Sequence, residues 1–256
     1  MSKVLFELEN VSCTRALRDV TLRFAPGEFV ALCGMNGAGK STLLEIMCGL
    51  LADHSGTCKF EGRAIRDWKP RELAQRVSFL PQSAEGYARF TAREVVQMGR
   101  YPHSGGWSEG PQDRSICLDA MRLAGCEDLA DRFVNQLSGG ERQRVLFAAV
   151  LAQKPAALLL DEPGTFVDLP HQIQMFRTLR QLCRDDNVLC IAATHDLNLA
   201  AAFCSRIVLL DQGRVTADAP PAELLTSTAF KTAFGEHVRV EAGNEPGGAV
   251  RIHYEI

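Results

Sequence analysis

The chain has 256 residues, enough to bury the core of one large domain or two small ones. Hydrophobic residues make up 46% and charged residues 23%, the proportions of a folded protein rather than a disordered one. With 28 Lys and Arg against 31 Asp and Glu, the formal charge of -3 argues against a protein whose main task is gripping nucleic-acid phosphates.

The first residues, Met1 to Glu7, turn acidic before an apolar run long enough for a signal peptide can develop, so export by that route is not expected. Val4–Leu8 and Leu17–Phe24 read as two strands joined by a short polar turn and ended by Pro26-Gly27. Phe29–Cys33 is a continuous apolar run, as in a strand buried on both faces. It opens onto a Gly-rich loop and then a helix-like segment, Ser41–Met47.

Gly34-Met35-Asn36-Gly37-Ala38-Gly39-Lys40-Ser41 matches the phosphate-loop pattern G-x-x-x-x-G-K-[ST] in the strand, loop and helix context that the pattern requires. Glycines let the backbone curl so that successive N–H groups face phosphate oxygens, and the following helix adds partial positive charge at its start. Lys40 supplies a full charge for the outer phosphates and Ser41 a hydroxyl for magnesium, with Thr42 next in the helix. The bland alternative is a Gly-rich turn with no ligand, which the full match in this context disfavours. The expected ligands are ATP and Mg2+.

Val77-Ser78-Phe79-Leu80-Pro81 leads to Gln82, which alone carries no message. From about Thr91 to Asn135 the apolar spacing turns helical, at Val95, Val96 and Met98 and again at Leu118, Met121 and Leu123, with the Gly/Pro/Ser-rich stretch Tyr101–Gln112 between. Leu137-Ser138-Gly139-Gly140-Glu141-Arg142-Gln143 contains a capping box, Ser138 with Glu141, ahead of the apolar run Val145–Leu151. A well-capped helix is the simpler reading. Two glycines at a helix start also expose N–H groups, however, and so form a second anion site that ATP on the first loop cannot obviously fill within one chain. A dimer follows as the proposal.

Ala157–Leu160 is a further buried strand, ending in Asp161-Glu162, an acidic pair of the kind called Walker B. Successive side chains on a strand point opposite ways, so Asp161 can serve the metal while Glu162 polarises the attacking water. A helical pattern runs from about Gln172 to Cys183, and the strand Val188–Ala193 leads to Thr194-His195-Asp196. A strand-end histidine is by itself more often structural.

The most apolar stretch, Val145–Leu160, is broken by Gln153-Lys154-Pro155 and falls short of the roughly 20 residues needed to cross a bilayer. Nine cysteines show no zinc-ligand or C-x-x-C spacing and lie mostly in apolar runs, as buried small hydrophobes in a reducing compartment. The pattern as a whole reads as α/β. It gives a P-loop NTPase core with a mainly parallel sheet, an N-terminal antiparallel β portion and an inserted helical subdomain. The expected division is one domain, with 1–90 and 153–225 as core, 91–152 as helical subdomain and 226–256 as a C-terminal extension.

The order of motifs, from the phosphate loop through Gln82, Leu137–Gln143 and Asp161-Glu162 to His195, resembles the ABC transporter ATPases from Val4 to about Leu225. The resemblance implies a head-to-tail homodimer in which each ATP lies between one subunit's phosphate loop and the other's signature. Ser138, Gly139 and Gly140 would then contact the γ-phosphate held by the partner. Glu162, His195 and Gln82 would form the hydrolytic set, with Ser41, Asp161 and Gln82 around magnesium. Asp168 would belong to the loop that links the two sites.

Met98–His103, Asp168–Gln172 and Thr194–Ala200 are similar to segments of ATPases that serve importers of ferric siderophores, haem and cobalamin. Such a subunit sits on the cytoplasmic face of the membrane, held by integral-membrane permease subunits, and works with a substrate-binding protein but no nucleic acid. The sequence also departs from the family. Ser12-Cys13-Thr14-Arg15-Ala16 lacks the usual adenine-stacking aromatic, so the planar guanidinium of Arg15 is the expected substitute. Gly164 replaces a small hydroxyl residue after Walker B, and Met35 replaces a proline in the phosphate loop. Two other readings stay open: a soluble ABC ATPase in DNA, ribosome or iron–sulfur assembly work, and a nucleotide-gated module with little hydrolysis. The first lacks its usual heptad insertion, tandem domain and basic balance, and Glu162 with His195 argue against the second.

Overall fold

In the computed structural model the described residues are 4–14, 16–82, 86–87, 89–103, 111–235, 238–241 and 251–254, the last two stretches for their backbone. The chain begins with two strands, β1 (Phe6–Cys13) and β2 (Leu17–Phe24), followed by β3 (Phe29–Cys33) and helix α1 (Lys40–Met47). Then come β4 (Ser55–Phe60), β5 (Arg63–Ala64), α2 (Pro70–Ala74) and β6 (Val77–Leu80). Three helices follow: α3 (Ala92–Met98), α4 (Pro111–Leu123) and α5 (Gly139–Ala152). The alternation resumes with β7 (Ala157–Asp161), α6 (Leu169–Asp185), β8 (Leu189–Ala193), α7 (Leu197–Phe203), β9 (Arg206–Asp211) and β10 (Arg214–Ala219). Short helices α8 (Pro221–Leu224) and α9 (Thr228–Phe234) and the hairpin of β11 (Val238–Glu241) with β12 (Arg251–Tyr254) complete the described chain.

The central sheet has the order β10-β9-β3-β8-β7-β6, parallel throughout except for β10 at its edge. A second, antiparallel sheet, β2-β1-β4-β5, covers one face. Alternation along the strands divides the apolar residues between two cores. Phe29, Ala31 and Cys33 face the core that the helices close, with Phe147 and Phe176 at its centre. Val30 and Leu32 face the core beneath the antiparallel sheet, with Phe6, Phe24 and Phe60. Eight of the nine cysteines are buried in these layers and Cys48 is half-buried, all as free thiols. Burial pushes Cys33 and Cys58 up to about 12, as it must for a thiol with no water to solvate its anion.

Several boundaries differ from the sequence reading, each for a local reason. The first strand starts at Phe6 rather than Val4; it runs on past Leu8 to Cys13 because an irregularity at Asn10 (φ 51°) absorbs the polar Glu9-Asn10 step without ending the pairing. β4 and β5, unassigned from sequence, complete the antiparallel sheet. The helix expected over 172–183 begins at Leu169, where Asp168 caps it through the His171 N–H and Pro170 fits the first turn. Pro111 likewise opens α4, so the end of the Gly/Pro/Ser stretch is helical. Residues 104–110 of that stretch lie outside the described residues.

Gln153, the C-cap of α5, fastens the helices to the sheet: its carbonyl oxygen Oε1 accepts from Ser78 Oγ at 2.8 Å and its Nε2 donates to the Val77 oxygen at 3.1 Å. Nearby, Arg100 pairs with Asp113 at 2.8 Å and donates to the Ala152 oxygen at 2.9 Å.

Candidate functional site

The C-terminal ends of β3, β6, β7 and β8 place the predicted residues side by side. The loop after β3 curls through Gly34 (φ 148°), Gly37 (φ 80°) and Gly39 (φ 103°). A β-carbon at Gly34 would stand 2.2 Å from the Leu210 carbonyl oxygen, and one at Gly39 would stand 2.7 Å from that of Ala16, so the loop can pass only without side chains there. Ala38 is buried, whereas Asn36 and Met35 are exposed at the loop's crest. Lys40, 6% exposed, curls back so that its Nζ donates to the Gly34 oxygen at 2.8 Å and the Met35 oxygen at 3.2 Å. The ammonium thus lies along the concave side of the loop, where the pattern requires a cation. Ser41 and Thr42 follow in the first turn of α1.

Asp161, the last residue of β7, is buried and hydrogen-bonded to Ser41. Burial raises its carboxyl above the usual carboxylate range; the Ser41 bond opposes this, the Glu162 charge adds to it and Lys40 pulls it back. An anion that is under-solvated and already bonded to a hydroxyl is suited to share a divalent cation with that hydroxyl, so the residues present fit magnesium.

Strand register explains how the remaining residues meet. Leu80 pairs with Leu160 and Asp161 pairs with Ala193, so Gln82 and His195, each two residues farther on, arrive beside Glu162. Gln82 Nε2 donates to Glu162 Oε2 at 3.0 Å. Thr165 Oγ1 lies 3.5 Å from the same oxygen, and His195 Nδ1 lies 3.7 Å from Oε1. The Glu162 side chain is 14% exposed while His195 is 72% exposed, so the carboxylate is shielded and the imidazole projects over it. Glu162 also has φ 49°, a left-handed backbone that a non-glycine residue adopts at a cost.

Ser138, Gly139 and Gly140 lie apart from the phosphate loop, at the start of α5. Ser138 accepts from the Glu141 N–H at 3.3 Å, and Glu141 Oε2 accepts from the Ser138 N–H at 2.7 Å, so the expected capping box is formed. These bonds, with Arg132, hold the Glu141 carboxyl below its usual range. Gly139 and Gly140 pack under Phe166: a β-carbon on Gly140 would come within 2.6 Å of the Phe166 oxygen. Asp168 caps α6 and its carboxylate meets His171 Nδ1 at 2.5 Å.

The sequence reading missed Thr165 and Gln172. Gln172 Nε2 donates to the oxygens of Gly164 at 2.9 Å and Val167 at 2.7 Å, and so shapes the loop after Walker B. A β-carbon at Gly164 would press on the Gln172 amide carbon at 3.2 Å, so a larger residue there would shift the side chain that shapes the loop. The one legible signal was the unusual glycine. Arg15, the expected adenine partner, lies outside the described residues.

A family model described as ABC transporter matches residues 17–165. The chain is 42% identical over 236 residues to the hemin import ATP-binding protein HmuV of Pseudomonas putida, covering 90% of this chain and 91% of that one. It is 40% identical over 240 residues to the cobalamin import ATP-binding protein BtuD of Halobacterium salinarum, covering 93% of this chain and 60% of that one. Among solved structures it resembles the dimeric bacterial ABC transporter cassette MJ0796, with 30% identity and a TM-score of 0.78 over 85% of this chain and 99% of that one.

Proposed function

The chain belongs to the ABC transporter ATP-binding family, and from that premise we propose that it is the ATP-hydrolysing subunit of an importer for haem, another iron chelate or cobalamin. As a family member it binds and hydrolyses ATP. The observation that carries the hydrolytic reading is the convergence of Gln82, Thr165 and His195 on the shielded carboxylate of Glu162, beside Lys40, Ser41 and Asp161. The chelate class is supported by similarity to the hemin and cobalamin import proteins across most of the chain.

In this reading the N–H groups from Gly34 to Thr42 and the Lys40 ammonium hold the phosphates. Ser41, Asp161 and Gln82 would hold Mg2+, which when bound would supply positive charge to the outer phosphates. Glu162 accepts a proton from a water whose oxygen bonds to the γ-phosphorus as the bond to the bridging oxygen of ADP breaks. Gln82 fixes the orientation of the Glu162 carboxylate, and His195 donates to the γ-phosphate. Ser138, Gly139 and Gly140 complete the site of a second copy, and the dimeric cassette it resembles supports that arrangement. Asp168 lies in the loop linking the two sites. The core is taken as 1–90 and 153–225 with 91–152 as the helical subdomain, which meets permease subunits at the cytoplasmic face of the membrane. No helix among the described residues is long and apolar enough to cross a bilayer, so attachment through partners is the consistent arrangement.

The test is to isolate the tagged chain from its native membranes in gentle detergent and identify its companions by mass spectrometry. A polytopic permease together with a chelate-binding protein is the expected result. Recovery of soluble partners alone would overturn the importer reading and favour an ABC ATPase acting elsewhere.

A further inference from the structure

With Glu162 as the base, every turnover leaves a proton on its carboxylate, and that proton must depart before the next water can be activated. The partners described so far offer it no exit. Gln82 meets Oε2 with an amide N–H, which donates a hydrogen bond and cannot take up a proton. His195 Nδ1 stands 3.7 Å from Oε1, beyond hydrogen-bond reach, and in the mechanism it serves the γ-phosphate. Toward the phosphates, the carboxylate faces the reaction itself.

A cavity of about 80 Å³ adjoins the same carboxylate. Glu162, Thr165, Gln172, Thr194, His195 and Asp196 line it, and no residue of the phosphate loop borders it. A water needs roughly 10–15 Å³ and two to four polar partners, so a volume walled in this way takes a short file of waters. Asp196 is half-buried, so it meets both this cavity and solvent. Its place is fixed at the start of α7. Its N–H donates to Thr194 Oγ1 at 3.0 Å, and its Oδ1 accepts from the Leu199 N–H at 2.9 Å. We infer that Asp196 is the outlet for the proton that hydrolysis leaves on Glu162. The Glu162 carboxyl gives its proton to a cavity water, that water passes one of its own protons to the Asp196 carboxylate, and Asp196 releases it to solvent. Glu162 is thereby returned to the anion, and no net charge is created along the path. The inference rests on Glu162 being the base, and Asp196 acts through it without touching the nucleotide.

The test compares Asp196→Asn and Asp196→Gly with wild type in the full chain, by rapid-quench measurement of phosphate formed from ATP and Mg2+. Asparagine caps a helix as well as aspartate does and glycine is tolerated there, so both variants keep the start of α7. In Asp196→Asn the first turnover should run at the wild-type rate, because Glu162 begins as the anion, and later turnovers should slow at least about tenfold. Formate, a carboxylate small enough for the vacated space, should restore the later turnovers of Asp196→Gly and leave Asp196→Asn unchanged. Steady turnover of Asp196→Asn at the wild-type rate would overturn the outlet while Glu162 stands as the base, provided Glu162→Gln is inactive. First and later turnovers slowed together, with no response of Asp196→Gly to formate, would reduce Asp196 to a structural cap and also overturn it. A Glu162→Gln chain that hydrolyses ATP normally would remove the base and the outlet together.

Discussion

Replacing Glu162 with Gln separates chemistry from stability more cleanly than any other change in the site. The amide matches the carboxylate in size, and it can turn its oxygen toward Gln82 Nε2, keeping the 3.0 Å bond, while its NH2 group turns toward His195. The loss to folding is then at most about one neutral hydrogen bond, on the order of 1 kcal/mol. The loss to chemistry is larger: an amide cannot accept the proton, and general-base catalysis contributes roughly 10²–10⁴-fold, or about 3–5 kcal/mol of barrier. The expected protein melts within a few degrees of wild type, binds ATP and releases phosphate at no more than about 1% of the wild-type rate. The assay is phosphate release beside calorimetric melting, with the chain alone and in its membrane complex. Turnover within about threefold of wild type in a variant that melts normally would remove Glu162 from the proton transfer.

Two further outcomes follow from neighbouring residues. Lys40→Met deletes a charge-assisted phosphate contact worth about 1.5–3 kcal/mol, so ATP affinity by titration calorimetry should fall roughly 10- to 150-fold. Asp161→Asn should raise the melting temperature without nucleotide while abolishing magnesium-dependent turnover. The Asp161 carboxyl is raised in the fold by burial, so ionising it costs the native state more than the unfolded one. The melting advantage of the variant should therefore be fully present at pH values above the folded one and shrink as pH falls toward the unfolded value of about 3.9. An advantage that grew with acidification would refute the burial argument.

Much of this was legible from residues alone because each signal had a local cause. The phosphate loop could be read because glycine, lysine and serine at fixed spacing answer to backbone sterics and charge, and the structure shows those sterics at Gly34 and Gly39. The capping box at Ser138 and Glu141 is likewise a matter of four consecutive residues. Gln82 and His195 were meaningful only through the family resemblance, since what brings them to Glu162 is the pairing of β6 and β8 with β7. Gln172 was unreadable for the same reason: its partners are backbone oxygens of a loop whose shape the local sequence does not reveal. Strict alternation ends β1 at Leu8, because the bulge at Asn10 hides the continuity of the strand through Cys13.

The left-handed backbone at Glu162 has a consequence for inheritance. At that dihedral a residue without a β-carbon would sit more comfortably by about 1–2 kcal/mol, which offsets the lost Gln82 bond of about 1 kcal/mol, so a glycine there would yield a chain that folds nearly as well as its parent and escapes the proteases that remove unstable proteins. In the two-copy arrangement proposed above, such a chain would pair with normal subunits and leave each mixed dimer with a site that cannot turn over. A cell carrying both alleles would then lose more than half of its uptake, and the defect would behave as dominant rather than recessive.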